Sequence, residues 1–314
     1  MASPPVLWTA ADVARIAGGA VVGAWAATGV SLAPGRCAEG DLYIDLRDGE
    51  AVPAAYARGA AACATHRQIE GVPAWNHPDL AAGLAALGQA ARDRCGAVRI
   101  GVPDASFAEL LASVAAIAGP VARLAARDEA LANLSPGAAR AIAPVSGAGE
   151  AARIAPHILI LRAGADPEHL SALLLGLPVG GIVITEADAA GLSAVQREVE
   201  ARGLELLCWQ ATGEAAAPPH ARVLGLSPEP EGARVSVAVF GEALEVMLPA
   251  SALRPASLEA LLSGALALAV SDISARLSLP HLAAGIHARA EPRIDAPTTP
   301  LTPVLSPAGA VYAV

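Results

Sequence analysis

Residues 97–118 read AVRIGVPDASFAELLASVAAIA, and this stretch decides the fold. Ala97-Val98-Arg99-Ile100-Gly101-Val102 has the length and apolar character of a short buried strand. A turn follows, and Phe107 to Ala118 is apolar enough for a packed helix. Working outward, the same strand-then-helix rhythm returns at Ile158-Leu159-Ile160-Leu161 and at Gly181-Ile182-Val183-Ile184. It returns again at Leu204 to Trp209, after a helix over 189–202. Strands that alternate with helices predict an α/β fold with a mostly parallel sheet flanked by helices. Ala233 to Phe240 and Ala243 to Leu248 alternate as a hairpin around Gly241-Glu242, and Ser257 to Val270 reads as a buried helix. Before the central pattern, LWTAADVARIAGGA (7–20) gives a strand end, a Thr9 cap and an amphipathic helix closed by Gly18-Gly19. Residues 79–95 give an Asp-capped helix leaving a small mixed α/β first domain. The predicted division is 1–96, 97–290 and a Pro-rich tail at 291–314.

Composition narrows the function. All 21 basic residues of the 314 are arginine. A lysine-free chain cannot form a Schiff base, a P-loop lysine contact or a carbamylated-lysine metal bridge. A net charge of -9 leaves no basic footprint for nucleic acid. No run approaches the roughly 20 apolar residues of a membrane span, and the amino terminus lacks a leader pattern. Four scattered cysteines (Cys37, Cys63, Cys95, Cys208) form no CxxC pair, so reduced thiols and a cytoplasmic location are expected.

The order of the pieces resembles the Mur ligases, ATP-dependent amide-bond enzymes of peptidoglycan precursor synthesis. Within them it is most similar to the branch that adds D-alanyl-D-alanine to UDP-N-acetylmuramoyl-tripeptide. The resemblance rests on residues 7–20, on Gly29-Val30-Ser31, on Glu39-Gly40-Asp41-Leu42-Tyr43-Ile44 and on Arg58-Gly59-Ala60-Ala61-Ala62, which look like that family's uridine-nucleotide domain. It continues in Gly149-Glu150 through Pro156-His157-Ile158-Leu159-Ile160-Leu161, in Glu168-His169-Leu170, and in Gly176-Leu177-Pro178-Val179-Gly180-Gly181-Ile182-Val183-Ile184 with Asp188. The order of these segments, over about 290 residues, carries the likeness more than any one motif.

Departures from the family bear on its chemistry. Where the family has its P-loop, this chain reads Gly101-Val102-Pro103-Asp104-Ala105-Ser106-Phe107-Ala108-Glu109. Pro103 removes a backbone donor, Asp104 and Glu109 add negative charge, and Phe107 and Ala108 stand at the Gly-Lys positions. The strand that carries the family's magnesium-binding glutamate looks missing between Arg140–Pro144 and Gly149-Glu150. The carbamylated lysine cannot exist, the Gly-x-His and Asn run becomes Ala250-Ser251-Ala252 and Ala256, and the third domain has no counterpart. The resemblance therefore implies a catalytically degenerate homologue with a binding or scaffold role and with no cofactor. Its implied partners are a cell-wall synthesis protein or an authentic Mur ligase.

Of the uridine-binding motif, Ser31 and Arg36 survive as candidates for a UDP-sugar. His169 is the candidate metal ligand, weighed against an ordinary polar contact. His157 reads as a satisfied core or capping residue, Glu150 as a helix-start carboxylate and Gly180-Gly181 as a turn. Two alternatives stand beside the scaffold reading. One is an active ligase, with ATP and magnesium, completed by a separate domain and using Arg99, Arg123 or Arg162 on the phosphates. The other is a UDP-sugar binding module.

Overall fold

The computed structural model describes residues 5–47, 49–124, 127–162, 167–187, 192–211 and 218–290. The tail at 291–314 lies outside them. The sequence-predicted strands at Val98–Val102, Ile158–Ile160, Ile182–Glu186 and Glu205–Gln210 lie side by side and parallel in a nine-stranded sheet. On one side of Val98–Val102 the sheet adds Arg140–Pro144 and the edge strand Val121–Arg123, both parallel. On the other it ends in Ala221–Glu229, Gly232–Val239 and Glu242–Pro249, the last two pairings antiparallel. The hairpin turn is Phe240-Gly241, one residue earlier than the sequence suggests. Both residues have positive φ (49° and 81°), as a two-residue turn that follows strand twist requires.

Two helix layers cover this sheet. Ala105–Ala115, Pro255–Ala269 and Ala275–Ala290 bury Phe107, Leu111, Leu262, Leu266 and Leu282 on one face. Ala148–Ile154, Pro167–Leu174 and Leu192–Ala201 bury Ile154, Leu170 and Val199 on the other.

A five-stranded sheet precedes it. Gly29–Ser31, Asp41–Ile44, Ala62–Thr65 and Ala74–Asn76 run parallel, and Ala20–Val22 closes the far edge antiparallel. The first helix, Ala10–Ala17, starts as predicted. Thr9 accepts from the Asp12 N–H, and the Asp12 carboxylate returns to the Thr9 N–H, a reciprocal capping box. Leu80–Arg94 starts on Asp79, which accepts from the Ala82 N–H at 2.9 Å. That helix packs on the short helix Asp128–Ala132 of the larger sheet. One buried cluster runs from Leu42 and Ile44 through Leu87 and Leu131 to Leu159 and Leu170, so the two sheets share a core.

The junction is specific. Trp8 donates its indole N–H to the Ala132 carbonyl at 2.9 Å, with the Arg94 guanidinium 3.9 Å over its ring. Asn133 treats the open edge of the Gly29–Ser31 strand as a further strand would. Its Oδ1 accepts from the Val30 N–H at 2.7 Å and its Nδ2 donates to the Val30 carbonyl at 2.8 Å. Glu129 accepts from the Leu32 N–H at 3.0 Å.

Candidate functional site

In a doubly wound sheet, ligands bind beyond the carboxyl ends of adjacent strands whose chains leave to opposite faces. That condition is met between Val98–Val102, which feeds the Ala105–Ala115 helix on one face, and its neighbours Arg140–Pro144 and Ile158–Ile160, which feed helices on the other. The crevice there holds Asp104, Arg162, Glu259, Ser146 and Glu150.

Asp104 has an extended backbone and caps the Ala105–Ala115 helix, one carboxylate oxygen accepting from the Phe107 N–H at 2.8 Å. Its other oxygen accepts from the Arg162 guanidinium at 2.5 Å. The position a bound anion takes at a helix amino terminus is thus filled by the chain's own carboxylate. Glu259, on the Pro255–Ala269 helix, faces this pair. Burial pushes its carboxyl up from the ordinary range, Arg162 lowers it and Asp104 raises it further. Its Oε1 is buried without a hydrogen-bond partner. A cavity of about 260 Å³ opens beside them, lined by Asp104, Ser106, Arg254, Ser257 and Arg289 among others. Glu150 reaches back to accept from the Ser146 N–H at 2.6 Å and the Ser146 hydroxyl at 2.9 Å, and these bonds hold its carboxyl below the usual range. It acts as the helix-start carboxylate the sequence predicts.

Several expectations change here. Gly101 has no role in approaching phosphate. It lies inside the strand with Leu159 and Val145 packed against it, where a Cβ would come within 2.9 Å of Leu159 Cδ1. Between the strand Arg140–Pro144 and the helix Ala148–Ile154 the described chain has no further strand, in line with the sequence reading of that stretch.

The three arginines considered for phosphate contact are dispersed. Arg99 sits at the amino ends of the strands, where it donates to the Ala155 carbonyl at 2.8 Å and lies 3.1 Å from His157 Nε2. Arg123 is on the edge strand. Only Arg162 reaches the crevice, and it is already paired with Asp104. His157 is half-buried, its Nδ1 accepts from the Arg99 N–H, and burial with the Arg99 charge lowers its pKa.

His169 is exposed on the Pro167–Leu174 helix, and among the described residues no three His, Cys, Asp or Glu side chains converge as metal ligands. Ser31 is buried at the carboxyl end of its strand, and its hydroxyl is engaged locally, donating to the Ala33 carbonyl at 3.1 Å. Arg36 is exposed on the Pro34–Arg36 turn that follows. The two share one loop at the carboxyl ends of the first sheet, but Ser31 has no free hydroxyl proton to offer.

The cap on Phe107, the half-buried Glu259 and the Asn133–Glu129 link were not read from sequence. Only the cap had a signal, an Asp just before an apolar helix. The others depend on contacts 97 or more residues apart.

No family model and no curated protein matches the chain. Solved structures do, and they give its fold, which is Mur-ligase-like. The chain is similar to UDP-N-acetylmuramoylalanyl-D-glutamyl-2,6-diaminopimelate–D-alanyl-D-alanyl ligase from Acinetobacter baumannii, with TM-score 0.68 at 14% identity over 89% of this chain and 68% of that one. MurF ligase from Thermotoga maritima, solved in complex with ADP, gives TM-score 0.59 at 12% identity over 77% and 62%. A UDP-N-acetylmuramoyl-L-alanyl-D-glutamate–2,6-diaminopimelate ligase gives 0.52 at 15% over 88% and 66%. The Mur-ligase-like architecture expected from sequence order is therefore the fold of this chain.

Among the described residues, no helix is long and apolar enough to cross a membrane.

Proposed function

We propose that this chain is a non-catalytic Mur-ligase-like protein that binds a partner in peptidoglycan precursor synthesis, in the cytoplasm. The observation that carries the reading is the Asp104–Arg162 pair on the helix that follows the first strand of the large sheet. A triphosphate there would meet a carboxylate already holding the helix amino terminus and the nearest guanidinium. The Asp104 carboxylate repels the like charge of a phosphate, and Arg162 is already engaged as its counter-ion. The lysine-free sequence supports the same reading, since arginine does not reproduce the compact ammonium that grips β- and γ-phosphates.

Calorimetric titration of the folded chain with magnesium ATP tests it. No detectable heat is expected. Micromolar binding, or ATP turnover with UDP-N-acetylmuramoyl-tripeptide and D-alanyl-D-alanine, would replace it with the ligase reading. A retained UDP-sugar site is the second reading, favoured by the exposed Arg36 on the loop leaving the first sheet.

A further inference from the structure

A concavity of about 760 Å³ lies away from the crevice, along the Val121–Arg123 edge strand. In the ladder with Arg140–Pro144, the Leu124 N–H donates to the Ile142 carbonyl at 2.8 Å, and the Pro120 carbonyl accepts from the Ala139 N–H at 2.9 Å. Even-numbered positions therefore face the neighbouring strand. The alternation of a ladder turns the N–H and C=O of Val121 and Arg123 outward, toward the concavity.

The opposite wall is the segment that holds the first sheet, with Glu129 and Asn133 occupied by Leu32 and Val30. Arg123 and Arg127 are exposed at the rim, and among the described residues neither guanidinium pairs with a carboxylate. Glu109 lies across a smaller cavity from Arg123 without bonding to it. A cationic groove along an open sheet edge is unusual in a chain of net charge -9.

We propose that this groove docks an extended acidic segment of a protein partner, which pairs its backbone with Val121 and Arg123 and places carboxylates on Arg123 and Arg127. Main-chain bonds to a sheet edge supply affinity, and the flanking charges supply selectivity. Self-pairing fits less well, because a two-fold axis through the strand centre at Ala122 sets Arg123 opposite Val121 and brings it no carboxylate. The proposal rests on the non-catalytic binding reading and names its site.

The test uses the full chain and an acetylated, amidated peptide, Thr-Val-Glu-Val-Asp-Val-Thr, carrying a fluorophore for anisotropy. The peptide is expected to bind. The version with arginine at its acidic positions should bind about tenfold more weakly. N-methylation of its alternate amides, which leaves the protein untouched, should abolish binding. Hydrogen exchange should slow at the Val121 and Arg123 amides, and Arg123→Ala and Arg127→Ala should each weaken binding several-fold with the circular dichroism unchanged.

Equal binding of the N-methylated peptide, no binding at millimolar concentration, or protection elsewhere in the sheet overturns the proposal. So does protection of these two amides by UDP-N-acetylmuramoyl-tripeptide in place of the peptide. Failure here is separable from failure of the functional reading: ATP turnover would sink that reading and leave the peptide result standing.

Discussion

Replacing Asp104 with alanine separates what its carboxylate does for the helix from what it does to the crevice. Loss of an Asp cap costs about 1 kcal/mol within a range of roughly 0.5–2. The ion pair adds little, because the Arg162 and Asp104 side chains are 61% and 39% exposed, and exposed pairs contribute about 0.2–1 kcal/mol. The sum is about 1–2 kcal/mol. In a protein of 314 residues each kcal/mol moves Tm by about 1.5–2 °C, so Asp104→Ala should melt roughly 1.5–4 °C lower by calorimetry. Asp104→Asn keeps a capping oxygen and should lose only the ion-pair share.

The second arm adds inorganic phosphate. With Asp104 gone, the Phe107 N–H and Arg162 lack their anion, and phosphate can take its place. At ten times its dissociation constant, a ligand specific to the folded state returns about 1.4 kcal/mol. Phosphate should therefore lift the variant most of the way back, beyond any shift it causes in the wild type. Equal shifts in both proteins, or a variant with unchanged Tm, would refute the claim that Asp104 occupies an anion position.

Asn133→Ala leaves the Val30 N–H and C=O without their side-chain partners and should cost about 2–4 kcal/mol in urea unfolding; a change below the error of the fit would show that the link is dispensable. Glu259→Gln should raise Tm at pH 7. The Glu259 carboxyl is raised from 4.5 in the folded state, so stability is greatest below that value and is lost as pH rises through the folded pKa, a slope the glutamine variant lacks. Arg36→Ala should weaken UDP-sugar binding in a calorimetric titration without altering the fold, and unchanged affinity would remove Arg36 from the site.

Strands rich in Val, Ile and Leu were legible in the sequence, Ile158–Ile160 among them although it is buried throughout, and the alanine-rich one was not. Val98–Val102 and Ile182–Glu186 carry β-branched residues beside glycine. Ala62–Thr65 is buried at all four positions, so it shows no alternation, and its small side chains pass for a helix exit. The Ala275–Ala290 helix went unread because Pro280 reads as a stop, yet it sits inside the helix. The Ala221–Glu229 strand, with Gly225 and Pro228 in it, was hidden in the same way, and its register shifts between Val223 and Gly225.

The candidate site divided along similar lines. The charge at Asp104 is plain in the sequence, but its role as a cap is set by one backbone angle and its pairing with Arg162 by the fold. The groove at Val121–Arg123 had no sequence signal, because three residues following a proline do not announce an edge.

The buried cluster common to the two sheets has a mechanical consequence. Nothing soft separates the units on either side of Cys95, since the helix before it packs on the helix at 128–132 and Asn133 grips Val30. Glu129 and Asn133 of that segment hold Leu32 and Val30, at the start of the loop bearing Ser31 and Arg36. A core common to both sheets is exposed on either side at once when it opens, so the two sheets are expected to unfold together in a single transition.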